Sequence, residues 1–413
     1  MTATYFTCRS CGGKNASTFI DLGLSPLANS YVAMQDAATT DAQYPLHARV
    51  CNRCFLVQVD DVVPAADIFD HDYAYFSSFS DSWLEHCKGF AASAAKRYKL
   101  GQEDLVMEIA SNDGYLLQYF KANGIQVLGI EPTGNTAAVA IEKNIPTRVE
   151  FFTEQLAHQM LSEGIRPSLI CSANVLAHVP DIGDFVRGVG VMLDGDAVYT
   201  VEFPQLLSLI NDSLFDTIYH EHFSYLSLYS TERVFDTAGL RVFDVETLAT
   251  HGGSLRIHAC LKTATHTEHH RVAVQRALEA AANLDNTQGY LGFADRVDTI
   301  RKGLTDFLDT AARDGRRVAA YGAAAKGNTL LNFCGINSDA ISYVVDKNPA
   351  KQNKLLPGSR IPVREVQALY DDPVDDVLIL PWNIKDEIVT SLSDLQSLGT
   401  RFFVATPSMA QVD

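Results

Sequence analysis

The sequence predicts an α/β chain in three parts: a small cysteine-rich module over residues 1–70, a Rossmann-like domain over 71–275 and a second Rossmann-like domain over 276–413. Three features carry this expectation. Two C-x-x-C pairs lie in an N-terminal stretch with little helical periodicity. Strand-like and helical runs alternate from about residue 105 to 205, the rhythm of a mostly parallel sheet. The same rhythm returns from residue 317. At 413 residues the chain is also too long for one ordinary core.

Taken in order, residues 83–99 (WLEHCKGFAASAAKRYK) have the apolar spacing of an amphipathic helix. LVMEIA (105–110) is a strand run ended by SNDG, and LLQYFKANG (116–124) is a helix that stops at Gly124. VLGIEP (127–132) is a second strand; SLICSANVLAHV (168–179) opens as a third and AVYTVEFPQ (197–205) is a fourth. Residues 206–260 break the rhythm with YHEHFSYLSLY and then β-like runs around LRVFDVETL and SLRIHACL. From about 266 to 314 the pattern is helical. RVAAYGAAAKG (317–327), the helix-like NTLLNFCG, ISYVVD (341–346), VDDVLILP (374–381) and RFFVATP (401–407) complete the second alternating unit.

Composition narrows the function. Hydrophobic residues make up 47% and charged residues 20%, the balance of a globular protein. A net charge of -17 argues against general binding to nucleic acid or a membrane surface. No run of 18 apolar residues occurs, and the start, MTATYFTCRSCGG, lacks the basic and apolar regions of a secretory signal. A cytoplasmic, monomeric protein is therefore expected, with no membrane partner. Four of the eight cysteines are paired as C-x-x-C and four are scattered, a usage that fits metal ligation better than disulfides.

Cys8, Cys11, Cys51 and Cys54 can present four thiolates to one Zn²⁺. Four protein ligands leave no open position, so this zinc is expected to be structural. A second candidate site starts where the first strand ends, at Glu108-Ile-Ala-Ser-Asn-Asp-Gly114. A turn there exposes backbone amides at the carboxyl edge of the sheet, and the G-x-G-x-x-G dinucleotide fingerprint is absent. The segment resembles the first motif of class I S-adenosylmethionine methyltransferases. Glu131 closes the second strand, where a carboxylate typically takes the hydroxyls of an adenosine ribose. Glu108, Ser111, Asn112, Gly114 and Glu131 are accordingly the expected cofactor residues; Asn174 and His178 follow the next strand and are placed near the methionine part or the substrate.

The densest polar cluster is Tyr219-His220-Glu221-His222. It lacks the H-E-x-x-H metalloprotease spacing, and no third metal ligand is obvious. Base catalysis by an oriented histidine is the alternative to metal ligation.

These motifs occur together with SPLANSY (25–31), DYAYFSS, NVLAHVPD, HGGSLR (251–256) and YGAAAKGNTLLN. In that order they resemble the zinc-containing C-methyltransferases of nucleotide-linked 4-keto-deoxysugars over nearly the whole chain. The resemblance implies a class I methyltransferase domain, S-adenosylmethionine and a dTDP- or GDP-linked 4-keto-deoxysugar, methylated at C-3 or, in other members, at C-5. It places the base at His222, with Glu221 and Tyr219 beside it and His220 as the rival on the same face of an expected strand. It also places Tyr75, Asn174, Arg256 and Lys326 at the substrate, Lys326 as a point charge for phosphate and Arg256 either neutralising phosphate or pairing with an acid. The chemistry suits a keto sugar. The carbonyl lets the carbanion next to it delocalise as an enolate, so a histidine near neutrality can remove the proton.

Overall fold

Six of the apolar runs and the short polar strand Thr147–Arg148 assemble into one central sheet: β1 (Leu105–Ile109), β2 (Gln126–Ile130), β3 (Thr147–Arg148), β4 (Leu169–Ala173), β5 (Val198–Pro204), β6 (Leu240–Leu248) and β7 (Ser254–Leu261). The computed structural model describes residues 6–60, 62–63 and 76–413. The sheet order is β3-β2-β1-β4-β5-β7-β6, with β1 to β5 parallel and β7 antiparallel to both neighbours. The inserted antiparallel strand makes this a class I methyltransferase sheet; a dinucleotide-binding sheet has the order 3-2-1-4-5-6. Residues 206–260, expected to break the alternation, supply both β6 and β7. The break is one of direction, not of sheet.

The C-terminal sheet contains β8 (Val318–Tyr321), β9 (Val344–Val345), β10 (Val363–Arg364), β11 (Asp376–Ile379), β12 (Arg401–Val404) and β13 (Ala410–Val412). Its order is β10-β9-β8-β11-β12-β13, parallel except for the last strand. The helix Phe293–Arg313 leads into it and buries Phe293, Val297, Ile300, Leu304 and Leu308 at helical spacing. The boundary expected at 275/276 falls inside the helix His270–Ala281. Glu279 on that helix accepts from the backbone N–H groups of Leu228 and Tyr229, which ties the whole helix to the central domain.

The N-terminal module is more regular than expected. Ala16–Ser25, Tyr44–Cys51 and Val57–Val59 form an antiparallel sheet. Its fourth strand is Ser224–Tyr225, which follows the YHEH cluster directly and pairs with Gln58 and Val57. The module's apolar face is shared. Phe19 stacks on Phe293 at 4.4 Å between ring centroids, while Cys8, Cys51, Cys54 and Leu56 pack into the core of the central domain. No helix among the described residues is long and apolar enough to cross a membrane.

Candidate active site

The four paired cysteines converge. Their sulfurs all lie within 4.8 Å of one another, with Cys8 to Cys54 at 3.4 Å and Cys11 to Cys51 at 3.6 Å. Zinc–sulfur bonds of about 2.3 Å in a tetrahedron put sulfurs about 3.8 Å apart, so the cage fits the ion. The Arg53 N–H points at the Cys51 sulfur from 3.5 Å. Gly13 lies tight against the cage: a Cβ there would sit 3.2 Å from the Cys11 sulfur and 3.3 Å from that of Cys51.

At the carboxyl edge of the central sheet, the turn after β1 carries Ala110 at φ 56° and Asn112 at φ 48°. This turn directs the Asn112 N–H to Glu131 Oε2 at 2.8 Å. Glu131 Oε1 accepts from the N–H and hydroxyl of Thr133. Burial raises the Glu131 carboxyl above its ordinary value, and these donors partly offset that. A contact to both ribose hydroxyls therefore requires the Thr133 hydroxyl to turn away. Glu108 is fully buried and held well above the usual carboxylate range by burial; its oxygens lack a well-formed hydrogen bond, and Tyr115 is the polar neighbour. Ser111 is packed inward beneath Gly129, where a Cβ would lie 2.3 Å from its hydroxyl. Gly114 sits at φ 78°. Asn174 is at φ 57° with its Oδ1 buried and without a partner.

The YHEH cluster is a turn, closed by the His222 N–H on the Tyr219 carbonyl. The expected strand does not form, and its two histidines diverge. His220 Nε2 donates to the Pro45 carbonyl of the N-terminal sheet at 3.2 Å. His222 Nδ1 donates to the Thr217 carbonyl at 2.8 Å, so Nε2 carries the lone pair and accepts from the Tyr219 hydroxyl at 2.8 Å. Burial and the neighbouring His178 hold His222 well below its ordinary value, as a neutral imidazole. His178 donates from Nδ1 to the Glu221 carbonyl and faces His222 at 4.6 Å between ring centroids. The structure thus groups His178 with the chemistry cluster. The Glu221 side chain turns to Asn29 Nδ2 at 2.7 Å, and burial pushes its carboxyl up to about 7.

The C-terminal domain supplies the opposing wall. Lys326 donates to Asn383 Oδ1 at 2.6 Å and lies 4.6 Å from the Trp382 ring centroid. Burial lowers its ammonium below the ordinary value, an effect opposed by Asp216, itself pushed up to about 6 by burial. The GAAAKG turn repeats the device of the first domain, because the Ala323 N–H donates to Asp346 at the end of β9, at 2.8 Å.

Arg256 is the misplaced residue. It donates to Glu202 at 2.7 Å and to Glu246 at 2.9 Å, and its guanidinium lies 4.3 Å from the Phe90 ring centroid. Of the two roles expected for it, the ion pair is the one the structure contains; two carboxylates already balance its charge. Tyr75 lies outside the described residues. Sequence reasoning missed Asn29, Asp216, Trp382 and Asp346. Asp346 had a readable signal, an acid closing a strand as Glu131 does.

Residues 8–69 match the family model of a zinc binding domain, 84–245 that of a methyltransferase domain, and 249–407 that of a C-methyltransferase C-terminal domain. The chain is 34% identical over 400 residues to the C-methyltransferase NovU of Streptomyces niveus, covering 97% of this chain and 95% of that protein. Among solved structures it aligns with an S-adenosylmethionine-dependent methyltransferase of Clostridium acetobutylicum at 10% identity, covering 45% of this chain and 93% of that one, with a TM-score of 0.35. The magnesium protoporphyrin IX methyltransferase of Synechocystis aligns at 14% identity over 48% of this chain and 89% of that one, with a TM-score of 0.34.

Proposed function

This chain belongs to the C-methyltransferase family, and from that premise we propose that it methylates C-3 of a dTDP- or GDP-linked 4-keto-deoxysugar through an enolate. The observation that carries the reading is the neutral His222 imidazole, its tautomer set by Thr217, with the Lys326 ammonium near enough to interact with it. A base next to a phosphate-binding cation is what a nucleotide-linked ketone needs.

S-adenosylmethionine, when bound, supplies an electrophilic methyl on a positively charged sulfur. Glu131 and Asn112 would hold its ribose, with the Thr133 hydroxyl turned away. Glu108 and the free Asn174 Oδ1 offer buried negative character and an acceptor to a cationic ligand. His222 accepts the proton from the sugar carbon at Nε2, which requires the Tyr219 hydroxyl that donates to this lone pair to turn aside when the sugar binds. The resulting imidazolium keeps its Nδ1–H on the Thr217 carbonyl, a charge-assisted bond that costs no reorganisation. Tyr219 holds the ring in place, and Lys326 meets the diphosphate as a point charge. Binding both ligands in one site converts the encounter of two molecules into an oriented reaction. Cys8, Cys11, Cys51 and Cys54 would hold a structural Zn²⁺, which would brace the sheet to which Ser224–Tyr225 belongs and so the turn that carries the base.

The test incubates 4-keto-deoxysugar nucleotides with labelled S-adenosylmethionine and locates the new carbon–methyl bond by NMR. Methyl transfer to carbon next to the ketone supports the reading. Transfer only to oxygen or nitrogen, or to no such sugar, overturns it.

A further inference from the structure

The HGGS loop has no part in the function proposed above, yet its geometry is costly. His251, Gly252 and Gly253 lie at φ 55°, 85° and 117°, three successive residues in the left-handed half of conformational space. The two glycines are demanded by their neighbours. A Cβ on Gly252 would fall 2.3 Å from the Trp382 ring, and one on Gly253 would fall 2.3 Å from the Ser208 hydroxyl. His251 has no such freedom and is held there all the same. Thr250 beside it donates its hydroxyl to the buried Glu202 at 2.9 Å, and the His251 ring meets Trp83 edge to face at 5.3 Å. Strain maintained by this much surrounding structure is a recurrent mark of a functional residue.

The ring's two nitrogens are in different positions. Nδ1 is buried and has no hydrogen-bond partner, and among the described residues none bonds Nε2 of this half-buried side chain. Orphaned buried N–H groups are rarer than orphaned buried acceptors, which favours the proton on Nε2. The loop lies against the Lys326 side of the site, since Gly252 abuts the Trp382 ring over which the Lys326 ammonium sits at 4.6 Å, and the His251 ring is near enough to both His222 and Lys326 to interact with their charges. Burial lowers its pKa to about 4, so it carries no charge at neutral pH.

Resting on the keto-sugar reading, we propose that His251 is a further catalytic residue, a neutral Nε2–H donor to the substrate carbonyl oxygen as that oxygen becomes an enolate. In the step, the C–H bond breaks and its proton goes to His222. The electron pair forms the carbon–carbon double bond of the enolate, and the carbonyl π electrons move to the oxygen. His251 donates a hydrogen bond to that oxygen and transfers no proton.

The test measures solvent deuterium exchange at the carbon next to the ketone in full-length wild type, His251→Ala and His251→Gln, without methyl donor. Nucleotide-sugar binding is measured by calorimetry in parallel. Loss of one oxyanion donor costs on the order of 10²–10³ in rate. His251→Ala should slow exchange by that factor while nucleotide-sugar affinity stays within about threefold, and His251→Gln, which keeps a neutral N–H, should recover about tenfold or more. Exchange at the wild-type rate in His251→Ala overturns the proposal, as does a glutamine variant no better than alanine. A wild-type protein that neither exchanges nor methylates any such sugar instead overturns the function on which the proposal rests.

Discussion

Arg256→Met separates a structural arginine from a ligand-binding one. The Arg256 side chain is 7% exposed, and the Glu202 side chain it meets is 4% exposed. Burial alone would raise Glu202, but the His86 hydrogen bond and the Arg256 charge outweigh it and bring the carboxyl from 4.5 down to about 2. At 1.36 kcal/mol per pH unit, that depression is worth roughly 3 kcal/mol, shared among His86, Arg256 and Thr250. Removing Arg256 leaves a buried carboxylate short of its main counter-charge, a loss of about 3 kcal/mol or more. For a domain of this size the melting temperature should fall by roughly 6–12 °C. The assay is thermal unfolding at pH 7.5, together with the KM for nucleotide sugar in the folded variant. Because the folded-state pKa is depressed, the contribution is complete above the unfolded value near 4.5. It is lost as pH falls toward about 2, so the deficit of the variant should shrink at acid pH. A melting temperature within 1 °C of wild type combined with a tenfold rise in KM would make Arg256 a phosphate ligand and refute the reasoning.

Three further outcomes are expected. Metal analysis should find one zinc per chain, and Cys54→Ser should lower both zinc content and kcat, since the zinc-held sheet includes the strand after the catalytic turn; full activity in zinc-free protein would contradict this. Glu131→Gln should weaken methyl-donor binding by about tenfold or more, a charge-assisted contact being worth roughly 1.5–3 kcal/mol, and unchanged affinity by calorimetry would remove Glu131 from the site. Only neutral His222 accepts a proton and its pKa is depressed, so the acid limb of kcat should lie below the ordinary histidine value near 6.5; a limb above 6.5 would assign it to another group, with Glu221, at about 7, the first to examine.

What could be read from the sequence was what covalent spacing controls. C-x-x-C brings two sulfurs to one point whatever the fold around it, and an acid closing a parallel strand lies at the sheet's carboxyl edge. What could not be read was set by contacts distant in sequence. Glu202 lies 54 residues from Arg256 on the adjacent strand, and only the register of β5 on β7 makes them partners. His220 and His222 share a face only if the segment is a strand. The turn closed on Tyr219 separates them, and the pairing of Ser224–Tyr225 with residues 57–58 holds that turn in place. His251 stood in a quoted motif, but its importance rests on a backbone angle and on Trp83, Glu202 and Trp382, which the chain brings together from three directions.

The central claim is that His222 removes the proton next to the ketone. Solvent deuterium exchange at that carbon, in wild type and in His222→Asn without methyl donor, tests it most directly. The account predicts that His222→Asn loses on the order of 10²–10⁴ in exchange rate while still binding nucleotide sugar. Tyr219→Phe should keep most of the exchange, because that hydroxyl only holds the ring. Exchange at the wild-type rate in His222→Asn, or its abolition by Tyr219→Phe alone, would contradict the assignment and move the base to another residue.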